Sequence, residues 1–143
     1  MKADAMTEAA VRAVLDQMGK AYAERNLNSL LAILAPDADV VMYGTGADEK
    51  RLGRAEIQVQ AERDWSQSDA TALKYGWMSV SAAGSVAWVA TDATFEVKAG
   101  GAEMAFPGRL TCVLERRGDT WLIVQAHFSL PAGGQVEGES FPT

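Results

Sequence analysis

Four long segments in the second half of the chain have the composition and spacing of β-strands, and they restrict the possible folds more than any other feature. They cover residues 71–80, 86–97, 109–116 and 120–129. Short connections containing Gly84, Gly100, Gly101 and Gly118 separate them. Strands joined by short glycine turns pair with their sequence neighbours, so the pattern predicts an antiparallel meander.

The last of these segments predicts a central strand that is covered on both sides. Alternation along a strand puts one set of residues on a wholly apolar face: Leu122, Val124, Ala126 and Phe128. The opposite face is apolar at its start and polar at its end, and it contains Trp121, Ile123, Gln125, His127 and Ser129. A buried strand with a polar end is typical of a pocket wall.

The first half of the chain predicts three helices and one short strand. The predicted elements are an amphipathic helix capped by Thr7 and ending at Arg25-Asn26, a helix over 29–35 capped by Asn28, a strand over 40–43, a loop over 44–49 and a helix over 54–65. Helices segregated from an antiparallel sheet define an α+β fold. A curved sheet around the long helix would leave a cone-shaped cavity at its open end.

The size and charge of the chain restrict the classes of function and partner that it can have. A chain of 143 residues suits one domain, predicted over 1–131, with a loose tail over 132–143 rich in glycine, proline and glutamate. A net charge of −6 without a basic stripe argues against nucleic acid and anionic membranes as partners. A single cysteine, Cys112, and the absence of a signal-peptide pattern or a bilayer-length apolar run favour the cytoplasm.

No cofactor or metal is predicted. The Gly-Thr-Gly run at 44–46 is followed by Asp48 and Glu49, which would repel a phosphate, so we interpret it as a flexible turn over the mouth of a pocket. One histidine cannot build a metal site alone, and Cys112 lies between Leu110 and Leu114 on its strand face, as a small core residue does.

Three stretches resemble the SnoaL-like branch of the nuclear transport factor 2-like superfamily, which is related to the association domain of calcium/calmodulin-dependent kinase II. They are residues 41–49 (Val-Met-Tyr-Gly-Thr-Gly-Ala-Asp-Glu), 108–116 (Gly-Arg-Leu-Thr-Cys-Val-Leu-Glu-Arg) and 121–131 with its Ala-His-Phe-Ser-Leu-Pro ending. The resemblance implies a cone-shaped α+β barrel. It implies no single function, because the superfamily includes isomerases, dehydratases, cyclases and oligomerisation domains. In its ketosteroid isomerase branch an aspartate base occupies the position that is Met42 here.

His127 and Asp92 are the candidate catalytic residues. An imidazole titrates near neutral pH and can act as an acid or a base, and His127 shares its predicted face with Gln125 and Ser129. Asp92 interrupts an otherwise uncharged strand, where a carboxylate needs a partner or a proton. The alternatives stay open: a structural histidine bonded to its neighbours, and a solvent-side aspartate at a bulge.

Five further residues are candidate ligand contacts. They are Arg109, Tyr43, Trp88, Gln125 and Tyr22. Arg109 can bind a ligand carboxylate, or pair across strands with Asp92 or Glu96. The aromatic residues can line a cavity, or belong to the core or a subunit interface.

Two hypotheses about function follow. The first is a pocket protein for a small apolar or aromatic molecule, with cofactor-free acid–base catalysis of the isomerase, dehydratase or hydrolase type as its enzymatic form. The second is an association module without catalysis. A homodimer through the sheet is predicted under both, since the chain supplies helices for only one face.

Overall fold

The computed structural model describes residues 1–143 and consists of three helices and six strands. The elements are α1 (Ala5–Ala23), α2 (Leu27–Ala32), β1 (Val41–Tyr43), β2 (Lys50–Leu52), α3 (Gly53–Ser66), β3 (Ala70–Ala83), β4 (Val86–Ala99), β5 (Ala102–Arg117) and β6 (Thr120–Ser129). The α+β prediction is therefore confirmed. None of the helices combines the length and hydropathy needed to cross a membrane. Residues 130–143 contain neither helix nor strand.

All six strands form one curved, unclosed sheet in the order β2-β1-β6-β5-β4-β3. The predicted meander is present, because β3, β4, β5 and β6 pair antiparallel with their sequence neighbours. Strand β1 runs parallel to β6, and β2 pairs with β1 as a short edge hairpin. Strand β2 was not predicted, because Lys50-Arg51-Leu52 lacks the apolar alternation of a buried strand.

Two helices begin earlier than predicted. The cap of α1 is Asp4, whose Oδ1 accepts a hydrogen bond of 2.7 Å from the backbone N–H of Thr7, so the predicted cap at Thr7 is wrong. The cap of α2 is Asn26, whose Oδ1 accepts from the backbone N–H of Ser29 at 3.1 Å, in place of Asn28. In both cases a carboxylate or amide oxygen further upstream satisfies the free N–H three residues on.

A β-bulge at Val124 changes the two faces of β6. Val113 of β5 pairs with Gln125, whereas the next residue, Leu114, pairs with Ile123, so Val124 is the extra residue. Beyond the bulge the alternation resets, and the buried residues are Trp121, Ile123 and Ala126. The strict alternation of the sequence analysis, which put Trp121 and Ile123 on the face of His127, is therefore wrong.

Helix α1 lies across the inner face of the sheet and forms the core with it. Its buried residues Val11, Leu15, Met18 and Ala21 recur at helical spacing. The hydroxyl of Tyr75 on β3 donates a hydrogen bond of 2.8 Å to the carbonyl oxygen of Leu15. The opposite, outer face of the sheet carries no helix.

Candidate functional site

A cavity of about 190 Å³ lies between α1, α3 and the inner face of the sheet. The residues around it are Met18, Tyr22, Leu30, Met42, Tyr43, Gly44, Thr45, Glu49, Arg51, Ile57, Gln60, Asp64, Leu73, Phe95, Leu110, Ala126 and Phe128. An apolar cavity of about 150 Å³ can bind benzene. The space therefore suits a molecule of about one ring.

Most of the cavity wall is apolar. Helix α1 contributes Met18, strands β4 and β6 contribute Phe95 and Phe128, and β1 contributes Met42. The rings of Phe95 and Phe128 lie 6.4 Å apart at an edge-to-face angle of 63°. Such a wall favours ligands that are apolar over most of their surface.

The polar part of the wall is a chain of hydrogen bonds between α1, α3 and the loop after β1. The hydroxyl of Tyr22 donates to Asp64 Oδ2 at 2.5 Å. The side-chain amide of Gln60 donates to Asp64 Oδ1 at 2.8 Å and to Glu49 Oε1 at 3.2 Å. The amide group of Gln60 thus bridges the two carboxylates at the edge of the cavity.

Two arginines orient this chain of hydrogen bonds. Arg51 Nε donates to Gln60 Oε1 at 3.0 Å, which turns the amide nitrogen of Gln60 towards the carboxylates. Arg63 pairs with Glu49 at 2.8 Å and with Asp48 at 2.7 Å. The loop after β1 is thereby attached to α3. Of the two arginines, only Arg51 lines the cavity.

Burial governs the protonation of the polar wall. Burial is the main cause that raises the pKa of Asp64 above its ordinary value, and the charge of Glu49 acts in the same direction. Hydrogen bonds from Tyr22 and Gln60 lower that pKa and only partly offset the burial. The pKa of Tyr22 is raised well above its ordinary range, first by burial and then by the charge of Asp64. Tyr22 therefore stays a hydrogen-bond donor at neutral pH.

Of the residues predicted as ligand contacts, Tyr22 and Tyr43 line the cavity. The other predicted site residues are absent from the cavity wall: His127, Asp92, Arg109, Trp88 and Gln125. Each of these alternates along its strand with a buried residue of the inner face, so they lie on the outer face of the sheet. Their predicted roles remain predictions, but they would act on a surface separate from the cavity.

Two pairs of predicted residues are neighbours across adjacent strands. Tyr43 and His127 are register partners, and their rings lie 5.2 Å apart. Asp92 and Arg109 are register partners across β4 and β5, and both are exposed. Neither of the latter two takes part in an ion pair. The outer face therefore carries one acid and one base that lie side by side without bonding.

Gln60 and Asp64 of the polar wall were not among the predicted site residues. Gln60 and Asp64 lie three and seven residues after Ile57, and Ala61 lies four after it, so all four share one face of α3. Ile57 and Ala61 are each 1% exposed. Polar residues on the same helix face as buried apolar residues are the sequence signal that indicates Gln60 and Asp64.

The fold and the cavity together define a cone-shaped α+β protein, in which a curved sheet wraps around helix α1. The family model of the SnoaL-like domain matches residues 11–133. The chain therefore belongs to the SnoaL-like family, within the nuclear transport factor 2-like superfamily.

Solved structures agree with this family. A candidate calcium/calmodulin-dependent protein kinase II association domain from Xanthomonas campestris is 26% identical, with a TM-score of 0.76 over 86% of each chain. A candidate dehydratase of the nuclear transport factor 2-like family from Streptomyces avermitilis is 15% identical, with a TM-score of 0.81 over 87% of this chain and 97% of that one. A superfamily protein from Salmonella enterica is 15% identical, with a TM-score of 0.82 over 96% and 99%.

These similarities establish the fold and leave the activity open. Proteins with this fold include candidate dehydratases as well as a candidate association domain. No curated protein matches the chain. The function must therefore be argued from the cavity and the outer face.

Proposed function

We propose that this protein binds one small, largely apolar molecule in the cavity between α1, α3 and the sheet. The observation that carries the proposal is an apolar cavity with a single polar wall. Ligand sites are typically concave and mostly apolar, with a few polar groups that fix the orientation of the ligand. Tyr22, Asp64 and Gln60 are the polar groups in the position to do so here.

Cofactor-free acid–base catalysis, of the isomerase, dehydratase or hydrolase type, is the enzymatic form of this proposal. Proton transfer needs a titratable group within hydrogen-bonding reach of the substrate. Asp64, Glu49 and Tyr22 satisfy that condition for a molecule in the cavity. Catalysis by His127 and Asp92 would instead need a substrate on the outer face, so we assign the chemistry to the cavity residues.

We further propose that the protein is a homodimer through the outer face of the sheet. Trp77 is 64% exposed there and Trp88 is half-buried. The unbonded Asp92 and Arg109 also suit a two-fold interface, in which each acid can meet the base of the second copy. Burial of such aromatic area is a strong driving force for association.

An association module without catalysis is the alternative, and the same outer face favours it. The two functions differ in what they require of the cone. A pure association module can fill its cone with side chains, whereas a binding protein needs free volume. The cavity of about 190 Å³ supports the binding function.

A cavity-filling substitution tests the binding function. Ala126 is 1% exposed and lines the cavity. Ala126→Leu should abolish the binding of single-ring fragments measured by calorimetry. The matched control is Ala102→Leu, at the exposed start of β5, which should bind like the unaltered protein. Equal fragment binding by both variants would contradict the proposal.

Sedimentation of outer-face variants tests the dimer. Trp88→Asp should give a monomeric mass at micromolar concentration, because a charge in the middle of an apolar interface is strongly unfavourable. Val59→Asp, on the exposed side of α3, should leave a dimeric mass. A monomeric unaltered protein would contradict the homodimer and leave the cavity function standing.

A further inference from the structure

The carboxylate of Asp64 has no ion-pair partner within the polar wall of the cavity. It accepts hydrogen bonds from Tyr22 and Gln60, both of which are neutral donors. It takes part in no ion pair, although Glu49 beside it is paired with Arg63. An ionised carboxylate next to apolar surface is unfavourable without a counter-charge.

The charged groups around the polar wall leave one negative charge unbalanced. Asp48, Glu49 and Asp64 are the acids of this network, and Arg51 and Arg63 are its bases. Arg63 is satisfied by two of the acids. Asp48 is 69% exposed and screened by solvent, so the net charge of the network does not by itself select a cation. The ion pair that Asp64 lacks is what a positively charged ligand would supply.

Hydrogen-bond complementarity selects the same kind of ligand. The hydroxyl of Tyr22 already donates its proton to Asp64, and the amide nitrogen of Gln60 already donates to two carboxylates. A carboxylate has about four acceptor positions, so Asp64 can accept more bonds. The ligand group facing Asp64 must therefore be a donor, and an ammonium group carries donors as well as the missing charge. A carboxylate or phosphate group placed at Asp64 would be repelled by Asp64 and Glu49. Arg51 also lines the cavity, but its Nε donates to Gln60 and it forms no bond to Asp64.

The rest of the cavity suits a cation bearing one ring. The rings of Tyr22 and Phe95 are 5.9 Å apart in an edge-to-face arrangement, and Phe128 follows in the same wall. Faces of aromatic rings attract cations within about 6 Å of the ring centre. The remaining apolar wall and the volume of about 190 Å³ accommodate a hydrocarbon body of about one ring.

We propose that the ligand of the cavity is a protonated amine of about one ring in size, with its ammonium group bound to Asp64. This inference rests on the proposed binding function and specifies its ligand class. The partner of the ammonium group is the carboxylate of Asp64, held in place by Tyr22 and Gln60. Gln60 is a positioning residue in this arrangement, because Arg51 sets the direction of its amide.

Calorimetry with three ligands of matched shape tests the proposal: benzylamine, benzyl alcohol and benzoate near neutral pH. Benzylamine should bind more tightly than benzyl alcohol, and benzoate should not bind. Asp64→Asn should weaken benzylamine by about 30-fold or more, the usual effect of removing one partner of a desolvated charge pair. Benzyl alcohol should change by less than about threefold, since it carries no charge. The control Asp119→Asn, in the exposed turn before β6, should behave like the unaltered protein.

A pH series on the unaltered protein provides a second measurement if Asp64→Asn does not fold. The charged or titratable groups near Asp64 are Tyr22, Glu49, Arg51 and Arg63. The pKa values of Tyr22 and Arg63 are both raised, so these two groups keep one protonation state from mildly acidic to neutral pH. Affinity for benzylamine should fall as the pH falls and Asp64 takes up a proton, whereas affinity for benzyl alcohol should stay constant.

The outcomes separate the two proposals. Equal binding of benzylamine and benzyl alcohol, with no change at low pH or in Asp64→Asn, overturns the amine ligand and leaves the binding cavity intact. Failure of all three ligands to bind, with Ala126→Leu indistinguishable from the unaltered protein, overturns both proposals.

Discussion

The hydroxyl of Tyr22 on α1 lies 2.5 Å from Asp64 Oδ2 on α3. This hydrogen bond connects the two helices at the polar wall of the cavity, and the ring of Tyr22 packs 5.5 Å from the ring of Trp65 beside it. The indole nitrogen of Trp65 in turn donates to the carbonyl oxygen of Tyr22 at 3.0 Å. The position of Asp64 in the cavity therefore depends on contacts from both helices.

Stability should depend on pH through Asp64. Burial raises the pKa of Asp64 above its ordinary value of 3.8, so the folded state holds the proton more firmly than the unfolded state. The stability contribution of this group is complete below about pH 4 and is lost as the pH rises through the folded pKa. The free energy of unfolding of the unaltered protein should therefore fall, relative to that of Asp64→Asn, as the pH rises towards neutral.

Urea unfolding at several pH values measures this difference. Asp119→Asn, in an exposed turn, should show no such trend. A stability difference between the unaltered protein and Asp64→Asn that grows in favour of the unaltered protein with rising pH would mean that the carboxylate is stabilised in its charged form.

Tyr22→Phe should raise the pKa of Asp64 further. The hydrogen bond from Tyr22 favours the ionised carboxylate, and phenylalanine keeps the ring but removes that bond. Titration of the Asp64 carboxyl carbon by NMR measures the shift. Tyr75→Phe removes a hydroxyl that is bonded to the carbonyl oxygen of Leu15, and it should leave the Asp64 titration unchanged. An unchanged Asp64 titration in Tyr22→Phe would exclude the hydrogen bond.

Ile123→Ala should destabilise the protein strongly. Ile123 is fully buried, and its backbone N–H and carbonyl oxygen bond to Ile33 and Ala35, so the strand cannot easily move to fill the space. Removal of a buried isoleucine side chain typically costs about 2–5 kcal/mol. Val136→Ala, at an exposed position of the tail, should change the free energy of unfolding by less than about 0.5 kcal/mol. Similar losses in both variants would contradict the burial of β6 and the loose tail.

His127→Ala should leave binding in the cavity unchanged, since His127 lies on the outer face and contacts Tyr43. Calorimetry with the same single-ring fragments measures this. Tyr22→Phe is the comparison variant, because it removes a hydroxyl group from the polar wall itself. Loss of fragment binding in His127→Ala would place the histidine in the ligand site and contradict its location on the outer face.

The main outline of the fold was predictable because it depends on local patterns. The amphipathic spacing of α1 and the four strand segments joined by glycine turns can be identified without knowing how the elements pack. The bulge at Val124 was not predictable, since the segment around it alternates without any glycine that would mark an extra residue. Strand β2 was missed for a related reason: at the edge of a sheet it needs no apolar alternation.

The site was harder to predict because it depends on which face of each strand meets the helices. The interest in His127 and Asp92 came from residue type, and the register of β4 to β6 then put both on the outer face. Tyr22 lines the cavity because α1 lies on the sheet, and its role as a ligand contact stays a prediction. Asp64 was missed, because its partners come from α1 and from within α3, and only the packing of the two helices brings Tyr22 to it.

Methyl NMR of the methionines tests the central claim most directly. Met18 and Met42 line the cavity, whereas Met1, Met6 and Met104 are exposed elsewhere and serve as internal controls. During a titration with benzylamine, the account predicts shifts of the Met18 and Met42 methyl signals with a common affinity, while the exposed methionines stay unchanged. Shifts confined to the exposed methionines, or no shifts at all, would contradict the binding of the amine in this cavity, and the same result with benzyl alcohol would contradict a ligand-binding cavity.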